Sequence, residues 1–241
     1  MALIYGHRGA SAYAPENTLE AYKLAMEMGA DGVELDVHLS KDGELMVIHD
    51  IDLDRTTGFH GRVCDYTLAE LKELDASNGM EAYKGVKIPT LREVYELLKP
   101  LGAMVNIEIK TTDCFYPGIE EKLLELEREM GMEGKTVYSS FNHYTIARLR
   151  QLDPKAQLGL LYMSGLYEPW NYAKQVGAQY IHPMYPSLLL PGLAQGCLAN
   201  GIGINAWTVD DPGMIGLCLH GGANVITNKP DIAVKLRNEQ R

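Results

Sequence analysis

GVELDVHL, residues 32–39, alternates apolar side chains with Glu34, Asp36 and His38. Successive strand side chains point to opposite faces, so Glu34, Asp36 and His38 share one face. Val33, Leu35 and Val37 share the other. KDG at 41–43 then reads as a turn, and ELMVIHD (44–50) continues as a strand. What such a strand means depends on its neighbours. Strand signals recur at 3–7, 103–110, 136–140, 157–162, 179–182, 203–209 and 224–227. Between them lie helical patterns near 90–100, 117–130, 143–152, 167–177, 190–200, 211–220 and 230–238. A further helix follows the first strand, with Asn17 as N-cap and Glu20 three residues on, and Gly29 stops it. About eight β-then-α units in a chain of 241 residues predict a closed (β/α)8 TIM barrel, an α/β fold. The alternative is a doubly wound open sheet. It loses support because no GxGxxG follows the first strand.

Residues 51–87 lack strong strand signals and are rich in charge and glycine. They read as a small insertion after the second strand, with a short helix near 67–76. No internal repeat or long linker divides the chain, so residues 1–241 are expected to form a single domain.

A barrel strand has no exposed face: one side meets the helices and the other the interior. The carboxylates of GVELDVHL are therefore expected to line the barrel. Catalytic groups of such barrels sit at the C-terminal strand ends. His7 and Arg8 end the first strand there, and His49 ends the 44–50 run. NIEIK repeats the alternation, with Asn106, Glu108 and Lys110 on one face. Glu34, Asp36 and Glu108 would make an all-oxygen set, and a hard divalent cation explains why such carboxylates are kept together. Arg8 and Lys110 are cations suited to an anionic group. Each residue alone has a plainer reading: a strand-end histidine, a Lys110–Glu108 ion pair, or Glu16 ordering its loop. Their gathering on one rim favours a site.

Composition narrows the partners. Hydrophobic residues make up 46% and charged residues 22%, a globular balance. A net charge of −10 argues against nucleic acid or an anionic membrane as partner. No run of about 18 apolar residues is present, so no transmembrane segment is expected. MALIYGHRG lacks the marks of a signal peptide, and Cys64, Cys114, Cys197 and Cys218 form no CxxC. Cytoplasmic residence with free thiols is the expectation. Nothing in the sequence specifies an oligomeric state.

HRGASAYAPENT (7–18), GVELDVHLSKDGELMVIHD (32–50), NIEIK (106–110) and AWTV (206–209) together resemble the glycerophosphodiester phosphodiesterases. The similarity runs on to VITNKPD (225–231). It implies a TIM barrel with a small insertion, hydrolysing glycerophosphodiesters to glycerol 3-phosphate and an alcohol. It further implies a divalent cation (Mg²⁺ or Ca²⁺, with Mn²⁺ also suited) held by Glu34, Asp36 and Glu108. His7 and His49 would be general acid and base, and Arg8 and Lys110 phosphate contacts. Trp207 would lie near the substrate, and Glu16 belongs to the matching PENT segment in a supporting role. Family members often carry an acidic residue where Asn228 stands, a departure that bears on that position and not on the carboxylates.

The loops 111–118, 138–141, 161–170 and 184–192 carry Phe115, Phe141, Tyr162, Met163, Tyr167, Trp170, Tyr185 and Leu188 to Leu190. They admit a hydrophobic alcohol, so a lysophospholipase D-like activity on lysolipids is the alternative. A noncatalytic phosphodiester-binding barrel would have lost a histidine or carboxylate, and all are present. A metal-dependent sugar isomerase on the same fold would need a carbonyl-handling set, and Arg8 beside His7 suits phosphate better.

Overall fold

The computed structural model describes residues 2–112 and 114–240. The chain runs β1 (Ile4–His7), α1 (Leu19–Glu27), β2 (Gly32–Leu39), β3 (Leu45–Val47), α2 (Asp54–Thr57), α3 (Leu68–Glu73) and α4 (Leu91–Leu98). It continues β4 (Met104–Ile109), α5 (Ile119–Met130), β5 (Thr136–Ser140), α6 (His143–Leu152), β6 (Gln157–Tyr162) and α7 (Pro169–Val176). It ends with β7 (Tyr180–Pro183), α8 (Leu193–Ala199), β8 (Gly203–Ala206), α9 (Pro212–His220), β9 (Asn224–Thr227) and α10 (Pro230–Glu239). Eight parallel strands close a ring in the order β1-β2-β4-β5-β6-β7-β8-β9, with β9 back on β1. The TIM barrel expected from the alternation is the fold.

The expected run at 44–50 shortens to β3, which pairs antiparallel with the end of β2 and lies outside the ring. Residues after it build the insertion around a small apolar core of Met46, Ile48, Leu53, Val63, Leu71, Ala76 and Ile88. Thr67 and Thr90 cap α3 and α4 in reciprocal boxes with Glu70 and Glu93, which satisfies orphan amides at both helix starts. The cap of α1 differs from expectation. Thr18, not Asn17, accepts from Ala21 N at 3.2 Å. Asn17 sits at φ 56°, outside the extended region a cap needs, and its side chain is used elsewhere.

The main core lies between sheet and helices. Val33, Leu35 and Val37 of β2 and Val105, Ile107 and Ile109 of β4 face outward into it. The barrel interior is polar instead. Asn224 Nδ2 donates to Asn205 Oδ1 at 2.7 Å, and Asn205 Nδ2 to His182 Nε2 at 2.8 Å. A Cβ on Gly159 would lie 2.2 Å from His182 Nε2, so only glycine fits beside that ring. Among the described residues no helix is long and apolar enough to cross a membrane.

One buried carboxyl outside the barrel interior sets a stability prediction. Glu127 of α5 accepts from Tyr138 Oη at 3.2 Å. Burial, with Asp153 and Glu133 adding to it, pushes its pKa up to about 7 despite that bond. A carboxyl that holds its proton more tightly when folded stabilises the fold at low pH. That contribution is lost as pH rises from the ordinary 4.5 through about 7. Glu127→Gln keeps the neutral form at every pH. Urea unfolding from about pH 5 to 7.5 is expected to show the wild type losing about 1–2 kcal/mol relative to the variant, the solvent-screened part of the shift. Parallel curves would refute this.

Candidate active site

Strand register brings the rim residues together. His7 pairs with Glu34 across β1–β2, Glu34 with Asn106 and Asp36 with Glu108 across β2–β4. Because these residues all face inward, Glu34, Asp36 and Glu108 are buried and each offers an oxygen within 4.8 Å of the others.

The chain turns sharply after His7. Arg8 is left-handed at φ 54°, a conformation costing an arginine about 1 kcal/mol, and Gly9 follows at φ 87°. A Cβ on Gly9 would meet Ala21 backbone at 2.6 Å, so α1 can approach only a glycine. The turn aims Arg8 N at Glu34 Oε2, 3.1 Å away. Arg8 Nη1 donates to Glu16 Oε1 at 2.9 Å, and Nε lies 3.4 Å from Asp36 Oδ2.

Asp36 is the most supported carboxylate. Asn17 Nδ2 donates to its Oδ2 at 2.9 Å, and Tyr22 Oη fixes that amide by donating to Asn17 Oδ1 at 2.8 Å. Lys110 Nζ lies 3.0 Å from Asp36 Oδ1 and 2.7 Å from Glu108 Oε1. Both contacts are ion pairs, and among the described residues Asp36 Oδ1 makes no hydrogen bond. Burial disfavours Asp36's charge, but Lys110 and Arg8 outweigh it and hold the carboxyl well below the usual range. Glu34 goes the opposite way. Burial, then the charges of Asp36 and Glu108, push it far up. Burial also raises Glu108, against the pull of Lys110. A divalent cation would resolve this crowding, and an all-oxygen donor set within 4.8 Å fits a hard ion.

Each histidine presents one nitrogen. His7 Nδ1 is 2.7 Å from Asn228 Oδ1, and its Nε2 is 3.9 Å from Glu34 Oε2. Burial, then the charge of Arg8, lowers its pKa to about 4. His49 Nδ1 donates to Asp50 Oδ1 at 2.6 Å, and among the described residues its Nε2 makes no hydrogen bond. Trp207 donates Nε1 to His182 O at 2.8 Å, meets Phe141 edge-on, and lines a small cavity with His7, Glu34 and Glu108.

A model of the glycerophosphoryl diester phosphodiesterase family matches residues 7–232. The chain belongs to that family. It is 45% identical over 236 residues to a glycerophosphodiester phosphodiesterase of Caldanaerobacter subterraneus subsp. tengcongensis, covering 97% of each chain. The crystal structure of a glycerophosphodiester phosphodiesterase from Agrobacterium tumefaciens superposes with TM-score 0.86 at 31% identity, over 98% of this chain and 100% of that one. An Oleispira antarctica phosphodiesterase solved with its product sn-glycerol-3-phosphate gives TM-score 0.85 at 28% identity, covering 98% and 96%. Family membership makes the chain a phosphodiester hydrolase.

The sequence reading missed several residues of this phosphodiesterase. Arg55 of α2 forks onto Glu16 with two bonds of 2.7 Å and donates to Asp50 Oδ2 at 2.6 Å. The insertion thus ties His49, through Asp50, to Glu16 and Arg8. Asp50 follows His49 directly, a signal that was available, whereas nothing local marks Arg55. Asn17 passed as a cap. His38, on the carboxylate face, bonds Tyr116 Oη at 2.9 Å and His49 O at 3.1 Å and acts as a brace. The apolar loop residues divide: Tyr162 is buried, while Phe115, Met163, Tyr167 and Leu189 are exposed. Asp113 of the 111–118 loop lies outside the described residues.

Proposed function

We propose that this domain, spanning 1–241, hydrolyses glycerophosphodiesters to glycerol 3-phosphate and an alcohol, using a divalent cation and two histidines. The observation that carries the reading is three buried carboxylates within 4.8 Å, beside two histidines whose Nδ1 atoms are both engaged. Glu34, Asp36 and Glu108 would hold the cation, with Mg²⁺, Ca²⁺ or Mn²⁺ suited to oxygen donors. The cation supplies Lewis-acid neutralisation of phosphoryl charge.

The protein's own groups do the rest. Arg8 commits Nη1 to Glu16 and keeps Nη2 for a phosphoryl oxygen, while Lys110 adds a point charge. Glu16, clamped by Arg8 and Arg55, holds the guanidinium in place. Trp207 offers its ring to the glycerol carbons. One histidine takes the proton of the attacking oxygen and the other protonates the departing alkoxide. The bound sn-glycerol-3-phosphate of the Oleispira antarctica protein supports the product class. The four free thiols are in keeping with a cytoplasmic setting. Exposed Phe115, Met163, Tyr167 and Leu189 on the loops after β4, β6 and β7 favour lysolipids as the second reading.

Release of glycerol 3-phosphate from glycerophosphocholine tests the proposal. EDTA is expected to abolish it, and Mg²⁺, Ca²⁺ or Mn²⁺ to restore it. No release with any of these cations would refute the assignment for this substrate. Release of lysophosphatidic acid from lysophosphatidylcholine would then carry the lysolipid reading.

A further inference from the structure

We propose that Asp210 and Asn228 act as a positioning pair that fixes the tautomer of His7, keeping a proton on Nδ1 and a lone pair on Nε2. The three residues lie at or just beyond the C-terminal ends of β8, β9 and β1, which are consecutive in the sheet. Their relevance to catalysis rests on the proposed role of His7. The tautomer itself follows from hydrogen-bond chemistry alone.

Asp210 is the anchor. Its Oδ1 accepts from Asn228 N at 2.8 Å and from Thr227 Oγ1 at 2.9 Å. Its Oδ2 lies 2.6 Å from the Asn228 side-chain amide. An ionised carboxylate only accepts, so the Asn228 atom facing it is the NH₂ group. The other end of that amide is then the oxygen, which has no proton to give. It lies 2.7 Å from Ser11 Oγ and 2.7 Å from His7 Nδ1. Ser11 Oγ has one proton to divide between this oxygen and His7 O, 2.8 Å away, but the ring nitrogen facing an atom that only accepts must donate, so His7 carries its proton on Nδ1. Nε2 is left with its lone pair toward the site, 3.9 Å from Glu34 Oε2. Asn228 transmits an orientation set by Asp210 and brings no charge of its own to the ring. This gives the asparagine at this departing position a function: an acidic residue there would face the carboxylate of Asp210.

The logic can be reversed with isosteric changes. In Asp210→Asn the new amide keeps its oxygen toward Asn228 N and Thr227 Oγ1 and turns NH₂ toward Asn228. Asn228 then flips to accept from it and presents its own NH₂ to His7. Nδ1 must now accept, and the proton moves to Nε2. The swap Asp210→Asn with Asn228→Asp restores an acceptor opposite Nδ1.

Imidazole ¹⁵N spectra of His-labelled protein in EDTA, assigned with His7→Gln, read the tautomer directly. About pH 8 keeps the ring neutral. The wild type and the swap are expected in the Nδ1–H form, and Asp210→Asn in the Nε2–H form. With cation and glycerophosphocholine, Asp210→Asn is expected to lose about 10²–10⁴ in kcat with little change in KM, and the swap to recover most of it. A structural role alone would not produce a switch that the double substitution reverses. An Nε2–H wild type, an Asp210→Asn protein still in the Nδ1–H form, or one switched but fully active would overturn the proposal. If Asp210→Asn does not fold, the swap decides: Nδ1–H supports and Nε2–H overturns. If the wild type hydrolyses no glycerophosphodiester, the proposed function fails, yet the spectra still decide the tautomer.

Discussion

Glu34→Gln and Asp36→Asn are expected to abolish the same activity while moving the stability of the metal-free protein in opposite directions. Each removes one carboxylate charge from the candidate cation site. Charge stabilisation by a cation is worth several kcal/mol, so each should lower kcat by about 10²–10⁴ and weaken cation binding in calorimetry. Stability separates them. Glu34 has its proton affinity raised on folding by burial and by the charges of Asp36 and Glu108. The folded chain thus favours the protonated group, and its stability contribution falls as pH rises. Glutamine supplies the neutral form at pH 7 and should raise the melting temperature in EDTA by about 2–4 °C for each kcal/mol relieved. Asp36 works against burial, but Lys110 and Arg8 hold its proton affinity down. Its contribution is therefore present at neutral pH and lost as pH falls. Asn17 Nδ2 also donates to its Oδ2. Asparagine would leave Lys110 and Arg8 with less compensation and should lower the melting temperature. Equal shifts of one sign would show that the crowding of the three carboxylates is not what the structure implies.

The paired histidines give the second large effect. His7→Ala and His49→Ala should each cost about 10²–10⁴ in kcat, with KM nearly unchanged, because proton transfer belongs to the transition state. On the proposed assignment the two groups serve one reaction, so the double variant should be little worse than either single one. The wild-type pH–rate profile should be bell-shaped, and each single variant should lose one limb. Strictly multiplicative losses, or a wild-type profile monotonic through neutral pH, would count against the pairing.

Much of this was legible in the chain. The period-two alternation in GVELDVHL and NIEIK places the carboxylates on one face. The succession of β and α units closes that face into a barrel interior. Hydrophobic pattern and cap chemistry also set α3 and α4, where Thr67 and Thr90 both find a glutamate three residues on. The first helix misled because Asn17 and Thr18 are both good caps, and the choice depends on Asp36, 19 residues away. The hidden parts of the site are contacts across large separations: Arg55 to Glu16 over 39 residues, and His7 to Asn228 over 221.

What the sequence by itself determined is which groups face inward and at which strand ends they stand. Side-chain alternation and strand pairing are local backbone geometry, and they follow from residue order. What only the tertiary structure decided is the state of each group. Glu34 and Asp36 stand two residues apart on one strand, yet one resists ionisation and the other favours it. His7 and His49 are the same residue, yet one ring is held by an amide and the other by a carboxylate. Proton affinity and tautomer depend on which charges and dipoles lie within a few ångströms in a site shielded from water, and those neighbours come from different strands.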